Sequence, residues 1–341
     1  EVVGKEGEDL SRHDKWLCMM YPRLKLLYKL LDDEGVIFIS IDDIEYANLK
    51  LVCDEIFGSN CFASNVSWQR TYASRNDSKG ISNAVEHVLV YSKQPNWNPN
   101  RLPRTAEMNA KYGNPDNDIS EWRTDNAFAP GASTHQGMVY AIQNPFTGKM
   151  IYPGNARCWT FGQEQTIEIM RGWCEYELRV LDDANQRAMV CGVSVDKVKK
   201  DVPGIVLSKS LEESKEKATE VLNRGQWPRY YFTKGGKGGI AKKTYLNSVG
   251  GRAPTNFWSY SEAGHTDEAK KEMLSIFNGR ATFDTPKPCR LLEFVLSVAG
   301  DENTLILDSF AGSGTTAHAV LNMNKIDGGN RKFILVEMGN Y

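Results

Sequence analysis

The chain has 341 residues, and its 41% apolar and 25% charged residues are typical of a folded globular protein that is long enough for two domains. No apolar run approaches the roughly 20 residues that a membrane-spanning helix needs, so we expect no membrane partner. A formal net charge of −2 gives no overall attraction to nucleic acid, and a DNA-binding surface would therefore have to be local.

The first residues, EVVGKEGEDL, are charged and contain no Met. They predict neither a signal peptide nor a natural start, so we expect a piece of a longer protein. The seven cysteines are scattered, with no C-x-x-C pair and no Cys/His set at zinc spacing. This pattern predicts reduced thiols in a cytoplasmic protein rather than disulfides or a metal site.

Residues 1–93 predict an α/β region. Apolar residues recur at helical spacing over 16–31. The run VIFISIDD (36–43) is apolar without interruption and ends in two acids, which predicts a strand buried on both faces of a parallel sheet. Residues 45–58 predict a second amphipathic helix that ends in a glycine. Further strands are predicted at 65–70 and 86–93.

Residues 94–256 differ in composition, because they are rich in Asn, Pro, Gly, Trp and charge and show poor periodicity. They predict an inserted domain of irregular loops and short strands, with helices at 163–181 and 210–225. From residue 257 the α/β pattern returns, with helices predicted at 265–277 and 285–300 and a buried strand at the segment NTLILDSF.

A glycine loop follows that strand. The residues GSGTTA (312–317) fit the pattern G-x-G-x-x-G/A, and a helix and the strand KFILVE, which ends in Glu337, come next. Glycine allows a ligand close to the backbone, the helix offers free N–H groups, and a strand-end acid usually holds ribose hydroxyls. The pattern predicts a nucleoside-cofactor site, with a tight turn that binds no ligand as the alternative. A P-loop is excluded because Lys is missing before Ser/Thr.

Both NAD and S-adenosylmethionine fit this pattern. Two features favour S-adenosylmethionine: the loop is wider than that of a dehydrogenase, and Asp308 at the carboxyl end of the strand suits the cationic methionine end of this cofactor. The alternative role for Asp308 is a cap of the loop.

The stretch DSFAGSGTTAHAV resembles the cofactor motif of amino-methyltransferases that modify DNA bases. Longer stretches resemble the modification subunits of type III restriction–modification systems, namely 12–31, 35–58, 101–118, 264–273, 283–288 and 328–338. The resemblance runs along nearly the whole chain and is weakest from about 120 to 250. In the permuted β group of this family, the cofactor motif comes after the catalytic motif and the target-recognition domain. The resemblance therefore implies a permuted, Rossmann-like S-adenosylmethionine-dependent methyltransferase fold, an α/β fold with an inserted α+β target-recognition domain. Residues 1–93 and 257–341 would form the methyltransferase domain, and 94–256 the target-recognition domain.

The resemblance also implies which residues hold S-adenosylmethionine. The segment FDTPKP matches the part of the family that holds the methionine end, and the acid at the end of VIFISID faces the same pocket in such proteins. That acid is equally explained as a helix cap. The residues implied are Asp308, Phe310, Gly312, Gly314, Thr315, Glu337, Asp284, Thr285, Lys287, Pro288 and Asp42.

Enzymes of this family carry an Asp-Pro-Pro-Tyr motif, or a close variant, ahead of the segment that RHDKW resembles. Its acid or amide binds the target amino group, and its ring stacks on the flipped base. The sequence contains no such motif, and we expect it upstream of Glu1. The expectation is therefore that no catalytic residue lies in this chain and that the chain is an incomplete catalyst.

Methyl transfer to a base requires the base to be flipped out of the duplex and needs no metal. Basic residues among glycines and aromatic residues predict the DNA contacts, with a flexible solvated loop as the alternative around TKGGKGGIAKKTY. The predicted DNA-binding residues are Arg70, Arg75, Arg229, Lys234, Lys237, Lys242 and Lys243.

The resemblance implies an adenine-N6 DNA methyltransferase that is the modification and recognition subunit of a type III-like system. It also implies double-stranded DNA, a second copy of the chain and a restriction (helicase–nuclease) subunit as partners. A cytosine-N4 enzyme and a non-catalytic DNA-recognition module that keeps the fold are the alternatives. An NAD dehydrogenase would need more strands after Glu337.

Overall fold

The computed structural model describes residues 12–72, 80–280 and 282–338. The chain is of mixed α/β type with several small sheets, and it divides into two compact units. Unit 1 consists of residues 1–103 and 251–341, and unit 2 consists of residues 104–250. Within the described residues, none of the helices is both long and apolar enough to cross a membrane.

The helices are α1 (Arg12–Leu30), α2 (Tyr46–Phe57), α3 (Ala106–Asn109), α4 (Gln163–Met170), α5 (Ala184–Cys191), α6 (Leu211–Arg224), α7 (Tyr260–Ala263), α8 (Thr266–Ile276), α9 (Cys289–Ala299) and α10 (Thr315–Asp327). The strands are β1 (Val36–Ile41), β2 (Phe62–Gln69), β3 (Val85–Ser92), β4 (Trp122–Asp125), β5 (Phe128–Pro130), β6 (Ile142–Gln143), β7 (Met150–Ile151), β8 (Arg157–Trp159), β9 (Tyr176–Val180), β10 (Pro203–Leu207), β11 (Tyr230–Phe232), β12 (Ile240–Tyr245), β13 (Phe257–Trp258), β14 (Leu305–Asp308) and β15 (Lys332–Leu335).

Unit 1 is built on a four-stranded sheet with the order β1-β3-β2-β13. Strand β3 is antiparallel to both β1 and β2, and β13 is parallel to β2. Successive residues of β3 face opposite sides of the sheet. Leu89 packs with α1 and α2 on one side, whereas Val88 and Val90 pack with Trp258 and with Leu291 of α9 on the other. Helices therefore cover both faces of this sheet.

The prediction of a parallel neighbour for β1 was wrong. Strand β1 pairs antiparallel with β3 and lies at the edge of the four-stranded sheet that the described residues form. Its residues are apolar on both faces because Ile37 and Ile39 pack with α1 and α2, whereas Val36 and Phe38 pack on the side of Trp258. An uninterrupted apolar run thus indicates that both faces of the strand are covered, but it does not indicate whether the neighbouring strand is parallel or antiparallel.

The strand, loop, helix and strand predicted at the end of the chain are confirmed as β14, α10 and β15, and the two strands pair in parallel. The expected burial of β14 was only half right. Ile306 packs against α9 and α10, whereas Leu305 and Leu307 are 63% and 37% exposed. Strand residues alternate between two faces, and the described residues place a covering layer on one face only.

Unit 2 contains a four-stranded sheet (β7-β6-β10-β9), a three-stranded sheet (β11-β12-β4) and the pair β5-β8. Its core is rich in aromatic side chains, among them Trp159, Trp173 and Tyr230, all at most 1% exposed. The indole N–H of Trp173 donates to the Tyr230 carbonyl at 2.8 Å, so the polar atom of the ring is satisfied inside the core.

The single helix predicted at 163–181 was wrong in its second half. Helix α4 ends at Met170, and β9 then pairs antiparallel with β10. Gly172 interrupts the helix, and the buried Tyr176 enters the core as a strand residue. The helix predicted at 210–225 is confirmed as α6, which begins after Ser210, whose hydroxyl accepts a hydrogen bond from the Glu213 N–H.

Candidate functional site

The glycine loop between β14 and α10 contains two glycines with positive φ. Gly312 has φ +52° and Gly314 has φ +76°, conformations that glycine adopts without strain. A Cβ added to Gly312 would lie 3.0 Å from the ring of Phe283. The loop therefore lies close against the segment FDTPKP, and the structure brings together two segments that the sequence assigned to the same cofactor.

Glu337 lies at this loop because β14 and β15 are parallel and end at the same edge, where Asp308 pairs with Leu335. One carboxylate oxygen of Glu337, Oε2, accepts a hydrogen bond from the Gly312 N–H at 2.6 Å. The predicted strand-end acid and the predicted glycine are thus in direct contact at the N-terminus of α10.

Asp308 holds the shape of the glycine loop. Its Oδ1 accepts a hydrogen bond from the Phe310 N–H at 3.2 Å, and its Oδ2 accepts one from the Thr316 hydroxyl at 2.5 Å. These contacts are those of a loop cap, the alternative that the sequence left open for Asp308. Thr315 shares a hydrogen bond of 2.8 Å with the Ser313 hydroxyl, and the ring of Phe310 is 53% exposed.

A cavity of about 350 Å³ lies at the end of β1, within the size range of small-molecule sites. It is lined by Asp42 and Lys287, which are far apart in the sequence, and by Trp16 at the start of α1. Arg12, Glu45 and Glu86 also line it, so the cavity carries charges of both signs. Such a lining suits a ligand that has both an ammonium group and a carboxylate, because each charge meets its opposite.

Glu86 on β3 is the shared partner of two cations. Its Oε1 lies 2.7 Å from the Arg70 guanidinium, and its Oε2 pairs with the Lys287 ammonium. Burial alone would raise the pKa of Glu86, but Lys287 and Arg70 hold it below its ordinary value. Glu86 therefore stays ionised, and it fixes Lys287 beside the Trp68 ring, whose centroid is 5.1 Å from Nζ.

Of the other predicted cofactor residues in unit 1, one lines the cavity and the rest do not. Asp42 lines the cavity and accepts a hydrogen bond from the Ile44 N–H at 3.1 Å, in the turn that precedes α2. The N-terminal cap position of α2 is Glu45, so Asp42 is not the cap of that helix. Pro288 is buried at the start of α9. Asp284 and Thr285 are exposed and are not among the residues that line the cavity. Glu86, Glu45 and Arg12 were missed, because isolated charged residues of a strand or helix give no local signal of a site.

The prediction that Lys243 contacts DNA was wrong. Lys243 is fully buried, and its Nζ lies 2.5 Å from carboxylate oxygens of both Asp116 and Asp118. Consecutive strand residues face opposite sides, so Lys243 points inward when Lys242 points outward. A buried ammonium that already holds two carboxylates is not available to a phosphate.

The remaining DNA-binding candidates are placed as follows. Lys234 and Lys237 are exposed in the turn between β11 and β12, and Arg229 and Lys242 lie beside the ring of Phe161. Arg70 is engaged with a carboxylate of β3, as described above. Arg75 lies outside the described residues.

All seven cysteines are free, and six of them are buried. Burial raises the pKa of the Cys53 thiol to about 12 and that of Cys174 to about 11. Across 12–72, 80–280 and 282–338, no group of three or more His, Cys, Asp and Glu side chains has the geometry of a metal site.

Comparison with known proteins connects this geometry to a family. A family model described as DNA methylase, of the N6/N4 methyltransferases, matches residues 3–341. The chain is 35% identical to the Mod subunit of the type III restriction-modification enzyme StyLTI from Salmonella typhimurium, over 97% of the chain and 42% of that protein. It is 28% identical to the type II methyltransferase M.KpnI from Klebsiella pneumoniae, over 95% of the chain and 67% of that protein.

A third relative is the Mod subunit of the type III restriction-modification enzyme EcoP15I from Escherichia coli, with 26% identity over 96% of the chain and 47% of that protein. The chain thus spans less than half the length of the two type III relatives that it matches. The family match covers almost every residue, including the glycine loop and the cavity. This chain therefore belongs to the DNA methylase family of N6/N4 methyltransferases.

Proposed function

We propose that this chain binds S-adenosylmethionine and double-stranded DNA as part of an adenine-N6 DNA methyltransferase, the modification subunit of a type III-like restriction–modification system. The observation that carries the cofactor assignment is the contact between the Gly312 N–H and the Glu337 carboxylate. A cavity of mixed charge supports it, because Lys287 of this cavity belongs to the segment FDTPKP, which lies against the glycine loop. The relatives named as type III Mod subunits support the system and a restriction subunit as partner. A second copy of this chain is proposed as a further partner from the family resemblance alone.

The residues present fit S-adenosylmethionine, which when bound supplies the methyl group. Glu337 would accept hydrogen bonds from ribose hydroxyls through Oε1, while Oε2 keeps its hydrogen bond from the Gly312 N–H. In the cavity, Lys287 would pair with the methionine carboxylate, and Asp42 with the methionine ammonium. Glu86 holds Lys287 in position for this contact.

The arrangement of the domains in this proposal is the permuted Rossmann-like fold. Residues 1–93 and 257–341, with the glycine loop between β14 and β15, would be the methyltransferase domain, and residues 94–256 would be the inserted target-recognition domain. Chemistry on a base requires the base to leave the stack, which costs a few kcal/mol. The chain would contribute by holding the DNA and the cofactor in fixed mutual positions.

Two other functions remain candidates within this family. A cosubstrate site of this kind serves a cytosine-N4 enzyme equally well, since both targets are exocyclic amines. A DNA-recognition module that no longer transfers a methyl group is favoured by one observation, the lack of an Asp-Pro-Pro-Tyr motif among the 341 residues.

The experiment that tests the cofactor assignment is a calorimetric titration with S-adenosylmethionine, with NAD in parallel. We expect heat of binding with S-adenosylmethionine alone. The variants Glu337→Ala and Lys287→Ala should weaken that binding by at least tenfold, whereas Glu175→Ala, which removes an exposed carboxylate from unit 2, should not change it. Binding of NAD alone, or of neither compound, would contradict the assignment.

The experiment that identifies the target base measures transfer of labelled methyl from S-adenosylmethionine to duplex DNA, followed by analysis of the nucleosides. N6-methyladenine supports the proposal, and N4-methylcytosine supports the second candidate. Binding of both cofactor and DNA without any methylated nucleoside is expected of an incomplete catalyst as well as of the recognition module, so only a methylated product identifies the target base.

A further inference from the structure

Two aromatic rings of unit 2 are each flanked by two cations. The first is Tyr112, whose ring centroid lies 5.3 Å from the Arg104 guanidinium carbon and 5.9 Å from that of Arg123. The Tyr112 side chain is largely buried, and Arg123 is exposed. A guanidinium over a ring is held by the electron-rich face of the ring, so its position is restricted before any ligand arrives.

The second ring is Phe161, which stacks on the buried Tyr230 with a centroid distance of 5.5 Å. The Arg229 guanidinium carbon lies 5.2 Å from the Phe161 centroid, and the Lys242 ammonium lies 5.9 Å from it. Arg229 is exposed, and Lys242 is partly exposed. The same pattern of ring and cations is therefore repeated on one unit.

The register of the three-stranded sheet joins these two groups. Strands β4 and β12 place Thr244 opposite Arg123, and Lys242 opposite Asp125. Residues directly opposite in an antiparallel pair share a face, and diagonal neighbours on that face are about 7–8 Å apart. Burial would raise the pKa of Asp125, but a hydrogen bond from Thr244 and the charges of Lys242 and Arg123 hold it below its ordinary value. Both cations thus act on the same carboxylate.

We call this surface the cation–ring row, and its members are Arg104, Tyr112, Arg123, Lys242, Phe161 and Arg229. It contains four cations, and none of them forms a salt bridge with a carboxylate of the residues that the structure describes. The whole chain carries a net charge of −2, so positive charge is locally concentrated here against the overall balance. A row of prepositioned cations without salt bridges fits a polyanion with regularly spaced charges better than it fits a single small anion.

We propose that the cation–ring row is a docking surface for the phosphate backbone of duplex DNA, and that Arg104 and Arg123 are contact residues that the sequence did not indicate. This inference rests on the proposed function, because it assumes that DNA is the macromolecular ligand. The rings restrict the positions of the cations. Arg104 already donates hydrogen bonds to the Asn109 side chain at 2.8 Å and to the Met108 carbonyl at 3.3 Å, whereas the described residues provide no side-chain hydrogen bond to the guanidinium groups of Arg123 and Arg229. The N–H edge of each of these two arginines can donate two parallel hydrogen bonds to a phosphate.

The test is a fluorescence-anisotropy titration of a labelled DNA duplex with the full 341-residue chain, at salt concentrations between 50 and 200 mM. The variants are Arg123→Ala, Arg229→Ala and the double variant. The matched control is Arg179→Ala, which removes an exposed arginine from β9, in a different sheet of unit 2. Circular dichroism verifies that each variant is folded.

We expect Arg123→Ala and Arg229→Ala each to weaken DNA binding at fixed salt by about threefold to tenfold, and each to reduce the salt slope of log K by about 0.9. The double variant should show both losses together, because the two side chains contact different phosphates. Arg179→Ala should bind as the unchanged protein does.

A second variant tests the ring rather than the charge. Tyr112→Leu keeps all four cations and removes the ring that fixes two of them, and Tyr112→Phe keeps the ring. We expect Tyr112→Leu to weaken DNA binding by about twofold to fivefold with an unchanged salt slope, and Tyr112→Phe to bind normally. A merely structural role would lower the melting temperature without this pattern.

The outcomes separate this inference from the proposed function. In the first outcome the unchanged protein binds DNA, and Arg123→Ala and Arg229→Ala have the same affinity and salt slope as Arg179→Ala. This result would overturn the docking surface and leave the proposed function standing. No DNA binding by the unchanged protein at 50 mM salt would overturn the docking surface together with the DNA part of the proposed function. In that case the calorimetric titration alone would decide the cofactor part.

Discussion

Removal of the buried ammonium group of Lys243 is the perturbation from which we expect the largest loss of stability in unit 2. In the folded protein this ammonium lies 2.5 Å from both Asp116 and Asp118, and 4.9 Å from the centroid of the Trp122 ring. The variant Lys243→Ala leaves two carboxylates in the interior without their shared counterion, which is costly because a buried charge has lost its hydration.

The size of this loss follows from the contacts that remain. Breaking a buried ion pair by removing one partner typically costs about 3–5 kcal/mol. Asp116 keeps a hydrogen bond of 2.7 Å from the Trp122 indole, and Asp118 keeps one of 2.7 Å from the Tyr245 hydroxyl. We therefore expect a loss at the lower end, about 3 kcal/mol, or about 6–12 °C in melting temperature for a domain of this size.

The assay is thermal and urea unfolding followed by tryptophan fluorescence. The matched control is Lys242→Ala, which removes the same side chain from the next position in the strand, where it faces outward. We expect this control to change the free energy of unfolding by less than about 0.5 kcal/mol. If Lys243→Ala unfolds at the same temperature as Lys242→Ala, the buried ion cluster does not stabilise the protein and the reasoning is refuted.

The remaining predictions concern pH, the glycine loop and the thiols. Burial would raise the pKa of Asp118, but its contacts, led by the hydrogen bond from Lys243, hold this pKa below its ordinary value. The ionised carboxylate therefore adds stability above its unfolded pKa near 3.9, and this stability is lost as pH falls through the folded pKa. The difference in melting temperature between the unchanged protein and Lys243→Ala should narrow below about pH 4, and a constant difference would contradict this. Gly312→Ala places a Cβ 3.0 Å from the Phe283 ring and should weaken cofactor binding in calorimetry by at least tenfold. The control is Gly328→Ala at the far end of α10, which also has a positive φ but meets open space, and it should leave the cofactor affinity unchanged. Cys18 is exposed and the other six thiols are buried, so a thiol reagent at pH 8 should label about one cysteine per native chain by mass spectrometry, and rapid labelling of Cys53 would show that its burial is wrong.

The glycine loop and its flanking elements could be predicted from the sequence because their signals are local. A strand, glycines at the turn, a helix and a second strand follow one another within 305–337, and each is specified by nearby residues. The contact between Gly312 and Glu337 then follows from the parallel pairing of two strands joined by a helix. The helices 210–225 and 265–277 were likewise predictable, because each has an apolar stripe and a capping residue.

Pairs of charges could not be predicted in this way. Nothing near Glu86 in the sequence indicates that Lys287 and Arg70 share its carboxylate, since these residues come from separate segments that meet only in the folded unit. The cation–ring row could not be predicted either, because the position of Arg123 beside the Tyr112 ring and on the same sheet face as Lys242 depends on tertiary contacts and on the strand register.

Two adjacent residues show most clearly what the sequence predicts and what only the tertiary structure decides. Lys242 and Lys243 are the same amino acid in the same glycine- and lysine-rich stretch, and the sequence predicts the same role for both. In the structure Lys242 is partly exposed beside the partly buried ring of Phe161, and Lys243 is fully buried between two carboxylates. The sequence by itself determined the elements with strong local signals, such as those around the glycine loop, together with the family resemblance and the chemistry available to each side chain. The tertiary structure alone decided which face of β12 is covered, and therefore which charge remains available to a ligand, because burial depends on segments that are distant in the chain.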